Sequence, residues 1–101
     1  MQIEVHCLFQ IDYGTEVVFQ TCICKVVELP GEPKPGSYIK LTDFLEIGMK
    51  SPYLVKSVLH IEDAEFVHLH IEEISYPSKI QRLEKELLQR GWEVCTAPRE
   101  N

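Results

Sequence analysis

YLVKSVLHIEDAEFVHLHIEEI, residues 53–74, reads as two β-strands folded back on each other about an acidic turn. Val55, Ser57, Leu59 and Ile61 alternate with Lys56, Val58 and His60, and Val67, Leu69 and Ile71 alternate with Phe66, His68, His70 and Glu72. A period of two belongs to half-buried strands, whose successive side chains point to opposite faces. With Glu62, Asp63 and Ala64 as the turn, Leu59, Ser57 and Val55 fall opposite Val67, Leu69 and Ile71, and that face becomes core. The same register sets His60 opposite Phe66, Val58 opposite His68 and Lys56 opposite His70, so the three histidines share the other face. A turn one residue longer would put the two apolar rows on opposite faces, which is why the three-residue turn is preferred.

Downstream of this hairpin, Pro77 ends the strand, Ser78 is an N-cap and Gln81 stands three residues on, as in a capping box. Ile80, Leu83, Leu87 and Leu88 recur at helical spacing, and Gly91 closes the run, which predicts a helix over 79–90. Trp92 and Val94 then suggest a last short strand over 92–95, followed by a flexible tail from about residue 96.

Upstream, residues 2–11 alternate Ile3, Val5, Cys7, Phe9 and Ile11 with Gln2, Glu4, His6, Leu8 and Gln10, a strand. Asp12, Tyr13 and Gly14 supply a turn, and a second strand runs over 15–29 with Phe9 opposite Val17, Cys7 opposite Phe19 and Val5 opposite Thr21. That long second strand is apolar on both faces, as a bent strand serving two parts of a small barrel would be. PGEPKPG at 30–36 is a stiff loop, because proline and glycine interrupt both regular structures. Residues 37–41 form a short strand, and the run PKPGSYIKL at 33–41 resembles a strand entry of small SH3-like barrels. The likeness implies a barrel-like sheet and carries no functional position.

Residues 42–52, TDFLEIGMKSP, allow one helical turn at most, capped by Asp43 and stopped by Gly48 and Pro52. Phe44, Leu45, Ile47 and Met49 put large apolar side chains into this segment. They read either as a plug over an open barrel end or as an exposed contact patch for a partner.

The chain has 101 residues and a mass of 11.7 kDa, the size of a single domain spanning 1–101. A hydrophobic fraction of 45% and a charged fraction of 26% are ordinary for a globular protein. The net charge of −6, with no basic run, argues against nucleic acid as a partner. No apolar run approaches a membrane span, and the N-terminus lacks a basic region followed by an apolar stretch, so a soluble cytoplasmic protein is expected. Cys7, Cys22, Cys24 and Cys95 form no C-x-x-C pair and read as reduced, small core residues. Cys22 and Cys24 nonetheless share a strand face, a spacing that permits a metal.

No phosphate loop, H-E-x-x-H, G-x-S-x-G or dinucleotide fingerprint is present, and neither an enzyme nor a cofactor is expected. The one chemical constellation is His60, His68 and His70, which would offer three imidazoles to a metal on one sheet face. The expectations are therefore an α+β protein with five or six mostly antiparallel strands, strongly bent or barrel-like, and one C-terminal helix packed on them. Functionally, an acidic interaction or structural module is expected, with a protein partner or a second copy of itself and with Phe44, Leu45, Ile47 and Met49 as contact candidates. The alternative is metal binding at His60, His68 and His70.

Overall fold

The computed structural model describes residues 1–12, 18–76 and 80–95. In chain order its elements are β1 (Gln2–Asp12), β2 (Val18–Glu28), β3 (Tyr38–Ile39), α1 (Thr42–Glu46), β4 (Tyr53–Leu59), β5 (Val67–Ile71), β6 (Ile74–Tyr76), α2 (Ile80–Gln89) and β7 (Glu93–Val94). The expected turn at 12–14, the Ser78 cap and the tail from about 96 fall wholly or in part outside the described residues.

The strands lie in the order β3-β4-β5-β1-β2-β7, and β6 pairs with β1 beyond the end of β5. β1 is antiparallel to β2 but parallel to both β5 and β6. The α+β class agrees with expectation, whereas the mostly antiparallel, barrel-like sheet does not. The sheet is mixed, and among the described residues it is open, with β3 and β7 as its edges. Nor does the long helix end the chain, since β7 follows it and pairs with β2. Alternation within a strand reports which face a side chain takes and is silent about which strand lies alongside. The two-sided apolar character of β2 has a cause other than barrel closure. Ile23 faces the core, while Cys22, Cys24 and Val26 form a half-buried layer on the opposite face.

Register differs from expectation in both hairpins, in instructive ways. β1 and β2 pair Phe9 with Thr21, Cys7 with Ile23 and Val5 with Lys25, four positions from the expected alignment. An even shift leaves every side chain on the face it had, so the apolar pattern cannot distinguish the two alignments. In the β4–β5 hairpin, Val55 pairs with Ile71 as expected, but Ser57 then meets His70, Val58 meets Leu69 and Leu59 meets His68. The shift between Val55 and Ser57 is a β-bulge, an extra residue that exchanges the two faces beyond it. Val58 therefore packs against the core and Leu59 is exposed, the reverse of the unbulged alignment.

Both helices lie on one face of the sheet. Ile3, Val5, Cys7 and Phe9 of β1, Ile23 of β2, Val55 of β4, and Leu69 and Ile71 of β5 are buried there with Phe44 of α1, Leu87 of α2, and Trp92. Phe44 is the centre of an aromatic group, its ring centroid 5.2 Å from that of Trp92, 5.4 Å from Tyr53 and 6.1 Å from Phe9. α1 is short because nothing caps it: its N-cap is Leu41, which makes no side-chain capping bond, and Gly48 turns out of it at a φ of 85°. Among the described residues no helix is long and apolar enough to cross a membrane.

Asp43, expected as a cap, sits in the first turn of α1 and accepts hydrogen bonds from Lys25 Nζ at 2.7 Å and Trp92 Nε1 at 3.0 Å. Burial opposes its ionisation, but the Lys25 and Trp92 bonds outweigh that and hold the carboxyl below its ordinary value of 3.8. A carboxyl depressed by folding contributes stability that is present above its unfolded pKa and is lost as pH falls through the folded one. Asp43→Asn is thus expected to lose about 1–3 kcal/mol at neutral pH and to flatten the acid limb of the stability curve below about pH 4. Urea unfolding from pH 7 down to pH 2 measures this, and an unchanged acid limb would contradict it.

Candidate metal centre

Among the described residues no helix covers the opposite face of the sheet, and that face carries the chemistry. On β1, Glu4, His6 and Leu8 point to it, and the register places Cys24 beside His6, Cys22 beside Leu8, His68 beside Glu4, and His70 beside His6. Three neighbouring strands, β5, β1 and β2, thus deliver polar and thiol side chains to one patch, and β7 extends it. Ile23 pairs with Val94 and Cys24 with Glu93, so the next residue, Cys95, lies against Cys22, where its N–H donates to the Cys22 carbonyl at 2.8 Å.

His6 is the hub of this patch. Its side chain is 9% exposed, its ring stacks on His70 with centroids 4.9 Å apart, and it meets the tilted ring of His68 at 4.6 Å. Nδ1 faces the Cys95 Sγ at 3.7 Å. Nε2 is buried without a hydrogen-bond partner, and Glu4 Oε2 stands off at 3.4 Å. The other Glu4 oxygen lies 3.2 Å from His68 Nε2. Burial, then the charges that His70 and His68 could carry, push His6 down to about 4 against the pull of Glu4. At neutral pH its imidazole is therefore neutral, the form that ligates metals. Burial and the neighbouring His68 lower His70 as well.

Two groups of donor atoms come within 4.8 Å of one another: His6, Cys24 and Cys95, and Glu4, His6 and His68. Both use His6. The thiols are not set up as nucleophiles, because burial pushes Cys95, Cys24 and Cys7 upward and keeps them protonated until something displaces the proton. A cation with affinity for sulfur does that.

Of the histidines read from sequence, His68 and His70 belong to this patch. His60 lies past the end of β4, exposed, with its Nε2 2.8 Å from Glu32 Oε2. His6 was missed because it sits on a strand far away in sequence, and nothing in either strand's pattern announces that β1 runs parallel to β5. The sequence signal available was the co-facial pair Glu4 and His6 together with the C-x-C of β2. Among the contact candidates, Phe44 and Met49 are buried, Ile47 is partly buried against the core, and Leu45 is 42% exposed.

No family model, no curated protein and no solved structure matches the chain.

Proposed function

We propose that this protein binds a transition metal ion of the zinc class on the helix-free face of its sheet, with His6, Cys24 and Cys95 as ligands. The observation that supports it most is the convergence of these three donor atoms, drawn from β1, β2 and the residue just after β7, to within 4.8 Å of one another. Tetrahedral zinc, with bonds of about 2.3 Å to sulfur and 2.0–2.1 Å to nitrogen, holds neighbouring donors about 3.5–3.8 Å apart. The 3.7 Å between Cys95 Sγ and His6 Nδ1 already falls in that range. Mixed nitrogen and sulfur donors suit zinc over magnesium, calcium or manganese, which take oxygen. The protein-contact reading draws on fewer features: Leu45, Leu59 and Ile61 are exposed, and single exposed apolar side chains are ordinary on a protein surface.

Equilibrium dialysis of reduced, tag-free protein against zinc, nickel and manganese tests the proposal. One zinc per chain with submicromolar affinity and no competition from manganese is expected. Zinc affinity weaker than micromolar would overturn it.

A further inference from the structure

We propose that the ion is held by four ligands, His6 Nδ1 and the Sγ atoms of Cys22, Cys24 and Cys95, with Glu4 positioning the imidazole, and that the site is structural. This rests on the metal-binding reading above and extends it.

Cys22 is the least obvious of the four. Successive same-face residues on a strand are roughly 6.5–7 Å apart, so Cys22 and Cys24 alone would not close on one ion. Cys95 resolves that. It lies opposite Cys22 and diagonal to Cys24 across the β2–β7 pairing, its N–H bonded to the Cys22 carbonyl and its Sγ within 4.8 Å of that of Cys24. Cys22 Sγ stands outside the group of His6, Cys24 and Cys95, and rotation about its Cα–Cβ bond toward the facing Cys95 would bring it to the same ion. Three thiolates and one imidazole make a Cys3His set, one of the closed tetrahedral combinations of structural zinc, with no position left for a water or substrate.

The two nitrogens of an imidazole point in diverging directions, so the nitrogen facing Glu4 cannot reach the ion that the thiols share. The geometry instead gives that nitrogen the outer role: His6 Nε2 carries the proton and Glu4 Oε2, at 3.4 Å, is its acceptor. A carboxylate behind a ligating histidine fixes its tautomer and orientation. Without an ion, Glu4 also faces His68, its other oxygen 3.2 Å from His68 Nε2. The two carboxylate oxygens serve the two histidines separately, Oε1 toward His68 and Oε2 toward His6. The buried, unpartnered Nε2 is thereby accounted for.

The consequence for the fold is a clamp. β7 is held to β2 by two residue pairs, and the ion would bind the segment just after it to β1 and β2.

Cobalt(II) loading of the reduced chain, with zinc affinity and thermal melting of the same variants, tests this. The wild-type protein is expected to show tetrahedral d–d bands and a thiolate-to-cobalt charge-transfer band, and zinc is expected to raise its Tm. C22S should lose about one third of the charge-transfer intensity, one thiolate in three, while its metal-free Tm stays near wild type. E4Q should keep the full band and bind zinc about 10–100-fold more weakly. An undiminished band in C22S overturns the four-ligand site and leaves the three-ligand reading standing. Bound cobalt without charge transfer puts the ion at Glu4, His6 and His68 and overturns the inference. Failure of both cobalt and zinc to bind ends the metal reading altogether.

Discussion

Replacing Phe44 with alanine is expected to destabilise the protein by about 3–5 kcal/mol, the usual cost of emptying a large buried aromatic site. Domains have about 5–15 kcal/mol of stability in total, so the variant should sit near the edge of folding. The size of the effect follows from position. Phe44 is fully buried, and the rings of Phe9, Tyr53 and Trp92 close around it, drawn from β1, β4 and the segment after α2. The hole left behind has aromatic walls on several sides, and none can collapse into it without moving a strand. Leu45, next in sequence and 42% exposed, is the internal control, and Leu45→Ala is expected to change stability by no more than about 0.5 kcal/mol. Urea midpoints of the two variants measure the contrast. Equal midpoints would mean that residues 42–52 do not fill the core in the way the aromatic contacts imply.

The second large effect concerns the sheet's other face. Cys24→Ser and Cys95→Ser are each expected to lower zinc affinity at least about 100-fold, since even outer-sphere partners of a ligand are worth 10–100-fold. Serine is close in size to cysteine, and both positions are half-buried, so the folded state should survive the change. His60→Ala is expected to bind zinc like wild type, because His60 lies past the end of β4 with Glu32 as its neighbour. Isothermal titration of zinc into the three variants gives the ranking. If His60→Ala loses affinity while Cys95→Ser retains it, the ion sits on the central hairpin and the thiol site is wrong.

The comparison of those histidines shows what the sequence could and could not disclose. Periodicity of two located β1, β4 and β5, and the spacing of Leu83 and Leu87 located α2, because each is a property of a local segment facing one core. Pairing is a different kind of information. The four-residue offset between β1 and β2 preserves the faces and so leaves no trace in the pattern. The bulge at Lys56 reverses the faces of Val58 and Leu59, and a short run in which both residues are apolar accommodates either arrangement. The parallel contact of β1 with β5 joins residues more than sixty positions apart through a crossover that no local rule specifies. That contact is what sets His6 between His68 and His70 and leaves His60 aside. The thiols of β2 were legible as a co-facial pair, but their partner Cys95 depends on β7 returning to the far edge of the sheet.

His6 and Cys95 are 89 residues apart, and the strands that carry the donors come from both halves of the chain. Only Cys22 and Cys24 lie close together in the chain, and two thiols alone are half of the ligand set, so the long loops that bring in His6 and Cys95 must close before the site is complete. On the metal-binding proposal, an ion that needs all four donors would be captured after the transition state for folding rather than before it. It would leave the refolding rate almost unchanged and act as a brake on unfolding, lengthening the life of the native state once it has formed.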